Sequence, residues 1–315
     1  MKLPNKPKVS VIIPAKNMAD KIEKCLEVIF SQTYQPYEVI IIDGGSTDDT
    51  LEKTKNFPVT VIHQDYGWAG AARQLGLEAA QGEFIAFTDA DCIPPCNWVE
   101  GLLAEFEEGI VGVGGGIKNI GEGLWIQSIN LAFDTFLGSG NSIQARLFKE
   151  KRFEKGINTS NSMYRRRDLV EAGGFNIHLS GADEAELGRR MVKLGKLLYT
   201  PTVLMLHDHK RGLRKFAKQM FYYGRWRREC RVVELPVVPP LLVPLLLLSL
   251  IFTRWLLPSV LGLYLIMVLL FGTRFVLQQR EPKYFFSIPV VYITEHLFFI
   301  VGFWREVLFP RKKNL

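Results

Sequence analysis

The chain has 315 residues, 48% of them hydrophobic, and a formal net charge of +7. That length accommodates one well-buried domain and a further element, and it excludes a small scaffold held by disulfides or zinc: the 4 Cys (Cys25, Cys92, Cys96, Cys230) make no pair of metal knuckles. The basic balance does not read as nucleic-acid binding, because no matching fold motif accompanies it and much of it stands beside apolar sequence. The first eight residues, Met1 to Lys8, contain no apolar signal-peptide core, so the polar part of the chain is expected in the cytoplasm.

Val9 to Pro14 is predicted as a buried first strand, stopped by proline, and Ile22, Leu26, Ile29 and Phe30 then repeat at helical spacing. Glu38 to Asp43 is a second buried strand. In the loop that follows, Ser46 and Asp49 have the spacing of a capping box ahead of a short helix, Thr50 to Asn56. Pro58 to Ile62 reads as a third strand, Gly70 to Ala80 as a helix of small residues, and Glu83 to Thr88 as a fourth strand. Alternating strands and helices with short connections predict an α/β fold: a mostly parallel, Rossmann-like sheet with helices on both faces. The glycine run Gly112 to Gly116 lacks a following Lys-Ser/Thr and is read as a strand in close backbone packing, not a phosphate loop. Residues 121–157 are expected to form a variable helix and a loop near an acceptor.

The fourth strand ends in Asp89-Ala90-Asp91. Ligands of such sheets sit at the carboxyl ends of the strands, where Asp43 also falls. Alternation puts Asp89 and Asp91 on one side, and two hard oxygen ligands there suit Mg²⁺ or Mn²⁺, ions that commonly also hold substrate phosphates. A second acidic group, Asp183-Glu184, opens a segment whose charges Glu186, Arg189, Arg190 and Lys193 continue at helical spacing. His207 and His209 follow a further apolar run, Pro201 to Leu206.

In order, Val11-Ile12-Ile13-Pro14-Ala15-Lys16-Asn17, Ile42-Asp43-Gly44-Gly45-Ser46-Thr47-Asp48, Gly70-Ala71-Ala72-Arg73-Gln74-Leu75-Gly76 and Asp89-Ala90-Asp91 resemble the family 2 glycosyltransferases of the GT-A fold. Asn161-Ser162-Met163-Tyr164-Arg165-Arg166, Gly173-Gly174-Phe175 and Gly181-Ala182-Asp183-Glu184-Ala185-Glu186-Leu187 extend the resemblance, which covers about residues 8–228. It implies a nucleoside-diphosphate sugar (UDP or GDP) as donor and inversion at the anomeric carbon. It implies that Pro14, Ala15, Asn17, Asp43, Arg73, Asp89, Ala90 and Asp91 line the donor site, with Asp43 on the base and Arg73 at the diphosphate. Asp91 is the direct metal ligand, Asp89 meets the ribose or a metal-bound water, and His207 meets the metal or diphosphate. The family commonly has Glu-Asp where this chain has Asp183-Glu184. The swapped order leaves two candidates for the general base, Glu184 by register and Asp183 as the alternative.

Residues 1–210 are thus expected to form the catalytic domain, 211–234 a basic amphipathic juxtamembrane segment, and 235–315 a membrane domain. Lys215, Phe216, Lys218, Phe221, Tyr222 and Trp226 suit a helix lying on anionic lipid. Gln219, Arg225 and Trp226 resemble a segment of processive members, but one extra residue separates them, so no polymerising activity is inferred. Pro236–Phe252 and Leu256–Phe271 are apolar enough to span. Phe285–Trp304 carries Glu295-His296 near its middle, and basic residues stand before it (Arg274, Arg280, Lys283) and after it (Arg305, Arg311, Lys312, Lys313). Both flanks favour the cytoplasm, so two spans with a re-entrant or interfacial third segment are expected, and three spans are the alternative. The expectation is a multi-pass protein of the cell membrane whose acceptor is membrane-proximal: a polyprenol- or dolichol-linked saccharide or a polyprenyl phosphate. Competing readings are a nucleotidyltransferase, which also uses paired Asp and metal, and an inactive nucleotide-sugar-binding membrane protein.

Overall fold

The structure, a computed structural model, describes residues 6–65, 67–140, 147–208, 212–230 and 235–311. His209, Lys210, Arg211, Arg231, Lys312 and Lys313 lie outside them. In chain order the elements are β1 (Val9–Ala15), α1 (Ile22–Phe30), β2 (Glu38–Asp43), α2 (Thr50–Thr54), β3 (Thr60–His63), α3 (Ala69–Ala79), β4 (Phe84–Thr88), β5 (Cys92–Ile93) and α4 (Trp98–Leu103). Then come β6 (Ile110–Ile120), α5 (Leu124–Phe133), α6 (Phe136–Ser139), β7 (Arg152–Glu154), β8 (Asn161–Arg165), α7 (Arg166–Glu171), α8 (Asp183–Met191) and β9 (Lys196–Asp208). The C-terminal helices are α9 (Leu213–Glu229), α10 (Val238–Phe252), α11 (Leu256–Gln279) and α12 (Tyr284–Leu308).

The chain forms two compact units: residues 1–119 with 147–209, and residues 120–146 with 210–315. The first is built on one sheet in the order β3-β2-β1-β4-β8-β6-β9-β5, with β7 on β9. Strands β3, β2, β1 and β4 run parallel. From β8 onward the sheet is mixed: β8 is antiparallel to both β4 and β6, and β5 and β7 are antiparallel to β9. The runs of Val and Ile in β1 and β2 are buried on both faces, as a covered sheet requires.

The glycine run is strand, as its spacing predicts, and the close packing is specific. A Cβ on Gly115 would collide with the Asn161 amide and the Val203 carbonyl. Fully buried Asn161 uses that amide to donate to the carbonyls of Gly116 (2.9 Å) and Val203 (3.2 Å), and its Oδ1 accepts from Trp98 Nε1 at 2.9 Å. Gly115→Ala is therefore expected to lower stability by about 1–3 kcal/mol through overpacking, read as a fall in the thermal midpoint.

Three helices of the second unit, Leu235–Phe252, Leu256–Gln279 and Tyr284–Leu308, are long and apolar enough to cross a membrane. The helix expected after residue 120 is present as α5, followed by α6, and both pack on α12 through Ser128–Ser287 (2.7 Å), Gln127–Tyr284 (3.1 Å) and Thr135–Tyr292 (2.8 Å) hydrogen bonds. One expectation fails here. The helix α9 does not offer Phe216 to lipid; that ring is fully buried in a cluster with Phe133, Met220, Ile288 and Tyr292. Gly224 of α9 and Gly302 of α12 let the two backbones approach closely, since a Cβ on either would strike a carbonyl of the other helix. Arg225, read from sequence beside Gln219 and Trp226, is a buried ion-pair partner of Glu306, with Nη2 at 2.6 Å from Oε2.

Candidate active site

The first unit brings its acidic residues to the carboxyl edge of the sheet. The β1–α1 loop is latched to the β2–α2 loop there. Asn17, in the left-handed region at φ 53°, accepts from the Thr47 N–H at 2.8 Å, and its own N–H donates to Ser46 Oγ at 3.0 Å. Ser46 is thus occupied across the loop, and the capping box expected with Asp49 does not form; α2 has no side-chain cap. Pro14 and Ala15 sit in the β1–β2 register opposite Ile42 and Asp43.

Asp43 is nearly fully buried, with 2% of its side chain exposed. It accepts from the Gly45 N–H (3.2 Å) and the Ser46 N–H (3.1 Å), and His63 Nδ1 lies 3.2 Å from its Oδ2. Burial pushes this carboxyl up, but the hydrogen bonds from Ser46, His63 and Gly45 outweigh it and hold it below the usual range.

Arg73 stands neither on the surface nor in open contact with solvent. Its side chain is 6% exposed, with Nη1 2.9 Å from Asp183 Oδ2 and Nη2 3.0 Å from Asp89 Oδ1. Burial alone would favour the neutral guanidine; Asp183, Asp89 and Glu184 reverse that and push its pKa up. Small residues make the approach possible, because Gly70, one turn earlier on α3, would place a Cβ 3.0 Å from that of Asp183. Ala182, left-handed at φ 55°, turns the chain immediately before Asp183, the first residue of α8. Such a conformation costs a non-glycine residue about 1–2 kcal/mol and commonly marks functional sites. On the same helix Gln74 accepts from the Phe175 N–H at 2.8 Å, so α3 also docks the Gly173-Gly174-Phe175 segment.

Ala90 points into the core at 2% exposure, and the flanking carboxylates take different partners. Asp89 is held by Arg73 and by the Ser160 hydroxyl. Asp91 instead meets β9, where His207 Nε2 lies 3.3 Å from its Oδ1. The atoms of Asp91, Cys92 and His207 that could ligate a metal fall within 4.8 Å of one another, a cluster that does not include Asp89. Burial, with the Asp89 and Asp91 charges, pushes the Cys92 thiol well up. Asn119 Oδ1 lies 3.0 Å from His207 Nδ1, and Nε2 of the same ring faces the Asp91 Oδ1 oxygen. Adjacent ligands of an octahedral Mg²⁺ or Mn²⁺ site lie about 3 Å apart, so this oxygen and nitrogen fit one.

Glu184 is partly exposed, whereas Asp183 is buried on Arg73. Ser160, Asn119 and His63 escaped the sequence reading, and Gly70 was recognised only as part of the Arg73 segment. Asn119 and His63 contact the candidates across the fold and leave no local pattern.

The Glycosyl transferase family 2 model matches residues 10–174. Glycosyltransferase AglE of Haloferax volcanii is 30% identical over 230 residues, covering 70% of this chain and 72% of that protein. A Methanococcus voltae enzyme, dolichyl N-acetyl-alpha-D-glucosaminyl phosphate 3-beta-D-2,3-diacetamido-2,3-dideoxy-beta-D-glucuronosyltransferase, is 26% identical over 320 residues, or 95% and 97% of the two chains. Among solved structures, a mannosyltransferase from Pyrobaculum calidifontis in complex with GDP-Man and Mn²⁺ superposes with a TM-score of 0.60 at 18% identity, over 98% of this chain and 89% of that one. With its mixed sheet, its carboxylates at the strand ends and its long apolar C-terminal helices, the chain belongs to glycosyltransferase family 2.

Proposed function

We propose that this glycosyltransferase moves a sugar, with inversion, from a nucleoside-diphosphate sugar to a saccharide hydroxyl carried on a membrane lipid. The observation that carries this reading is the Arg73 bridge: one guanidinium contacts Asp89, which we assign to the donor, and Asp183, which we assign with Glu184 to the acceptor. Asp91 and His207 are the residues that would hold the divalent ion, and when bound it supplies charge stabilisation for the departing nucleoside diphosphate. Asp89 and Ser160 order the loop beside them. Glu184 takes the acceptor hydroxyl proton, being the accessible member of its pair. The lipid-linked acceptor is supported by the membrane helices and by the dolichyl phosphate substrate in the name of the M. voltae relative. Family membership removes the reason to favour nucleotidyl transfer.

We read α10 and α11 as a spanning hairpin, with α12 beside α9 at the cytoplasmic surface. Exposed Arg214, Lys215 and Lys218 on α9 are costly inside hydrocarbon, and α12 packs closely against that helix and carries basic flanks at both ends. On that reading the catalytic domain faces the cytoplasm.

A panel of nucleoside diphosphates tests the donor reading. With Mn²⁺, UDP or GDP is expected to raise the thermal midpoint of the detergent-solubilised protein, an effect worth about 2.7 kcal/mol at a hundredfold excess over Kd. Asp91→Asn should abolish the metal-dependent part. No shift with any nucleotide, together with no donor turnover, overturns the reading.

A further inference from the structure

We propose that Tyr164 is a positioning residue for the general base: its hydroxyl donates to the Glu184 carboxylate and fixes that group for the acceptor. This role rests on the assignment of Glu184 above and deepens it. Ser162 and Tyr164 are fully buried and project from one face of β8, two residues apart. The start of α8 lies over that face. In the antiparallel register Ser162 and Tyr164 stand opposite Gly114 and Gly112 of β6, which have no side chains to fill the space above them. A Cβ on Gly112 would strike the Tyr164 ring at 2.7 Å, and one on Gly114 would strike Ile157 at 2.8 Å. Beside Ile157, a Cβ on Gly156 would stand 3.3 Å from the Glu184 carbonyl oxygen. A single layer of residues thus separates the Glu184 backbone from the sheet face that carries the two hydroxyls.

Three buried atoms of this region have no hydrogen-bond partner among the described residues: Arg73 Nε, Ser162 Oγ and the Tyr164 hydroxyl oxygen. Each carries a hydrogen to donate. The two hydroxyls can satisfy one another only once, because the one that accepts still needs an acceptor for its own hydrogen. What the group lacks is an acceptor, and a buried hydroxyl left without one is costly. Asp183 already gives its Oδ2 to Arg73 Nη1 at 2.9 Å. Glu184 is the charge that bears most strongly on Tyr164, and with burial it pushes the phenol up, so the hydroxyl keeps its hydrogen at any working pH. Donation to an ionised carboxylate is the stronger kind of hydrogen bond, and it holds a flexible Glu side chain in one orientation.

The first test needs no substrate. The full chain in detergent is compared as wild type, Tyr164→Phe, Glu184→Ala and the double variant. Tyr164→Phe removes one oxygen and keeps the ring, and it is expected to lower the thermal midpoint by about 2–4 °C, the size of one hydrogen bond in a domain of this length. In the Glu184→Ala background that loss should vanish. The second test follows nucleoside diphosphate released from UDP-N-acetylglucosamine and from GDP-mannose with Mn²⁺. Tyr164→Phe should lower kcat about tenfold at unchanged donor KM, and should add nothing to Glu184→Gln. A midpoint that Tyr164→Phe leaves unchanged, raises, or lowers equally in both backgrounds overturns the proposal, because the hydroxyl then has no dealings with Glu184. Coupling between the two positions with kcat unchanged in Tyr164→Phe overturns the positioning role and leaves Glu184 as the base. Normal turnover in Glu184→Gln overturns the base assignment and this proposal together.

Discussion

Glu184→Gln is expected to lower turnover by about 10²–10⁴-fold, the range that a positioned general base contributes, with the thermal midpoint and donor affinity near wild type. Environment separates the two neighbouring carboxylates. Asp183 is buried, and its Oδ2 lies 2.9 Å from Arg73 Nη1, so taking a proton there would break an ion pair inside the protein. Glu184 is partly exposed on the next position of α8. Asp183→Asn should accordingly lower the thermal midpoint as well as turnover, while Glu184→Gln acts on turnover alone. The size of the Glu184 effect also reports the acceptor. A hydroxyl must lose its proton in the transition state, whereas a polyprenyl phosphate arrives ionised and gains little from a base. Turnover near wild type in Glu184→Gln on a saccharide acceptor removes the base assignment, and normal turnover on a polyprenyl phosphate alone would redirect the acceptor proposal. The comparison is made on single-turnover rates, since product release would mask a change in chemistry.

The parts of the fold legible in the sequence are those where local pattern and tertiary environment agree. Val9 to Pro14 and Glu38 to Asp43 are apolar on both faces because the sheet is covered on both faces, and a run of Val and Ile states this without further information. Asp89 and Asp91 could be placed at a strand end for the same reason: Phe84 to Thr88 is wholly buried and stops where the charges begin. What escaped were contacts between residues distant in sequence. Arg73 and Asp183 are separated by 110 positions, and nothing in the helix Ala69–Ala79 distinguishes a buried arginine from an exposed one. Ser46 was available for a capping box by spacing, yet the left-handed Asn17 offered its N–H across the loop and the hydroxyl went there. A helix was expected after residue 120, but the packing of Leu124–Phe133 escaped for a related reason. Its polar groups, Gln127 and Ser128, pair with Tyr284 and Ser287 roughly half the chain away, so its amphipathic pattern has meaning only beside α12.

Arg73→Met is expected to lower stability by about 3–5 kcal/mol, the usual consequence of stranding a buried charge, and to abolish transfer. Methionine fills much the same volume, so the loss comes from the carboxylates left behind and not from a cavity. Asp183, with 6% of its side chain exposed, loses the guanidinium that its geometry provides, and Asp89 keeps only the Ser160 hydroxyl and whatever water reaches it. At a domain of this size that corresponds to a fall in thermal midpoint of about 10 °C. Arg73→Lys should recover part of the stability and little of the activity, because one ammonium cannot hold two carboxylates in the planar fork that Nη1 and Nη2 present. The double variant Arg73→Met, Asp183→Asn should be more stable than Arg73→Met alone, since the second change removes the charge that the first exposed. The family resemblance assigns Arg73 to the donor diphosphate, which makes the opposite forecast: a variant that folds at the wild-type temperature and loses nucleotide affinity in proportion to turnover. A thermal midpoint unchanged in Arg73→Met, with weakened diphosphate binding, would establish that role and leave the two acidic segments to be held together by the fold itself.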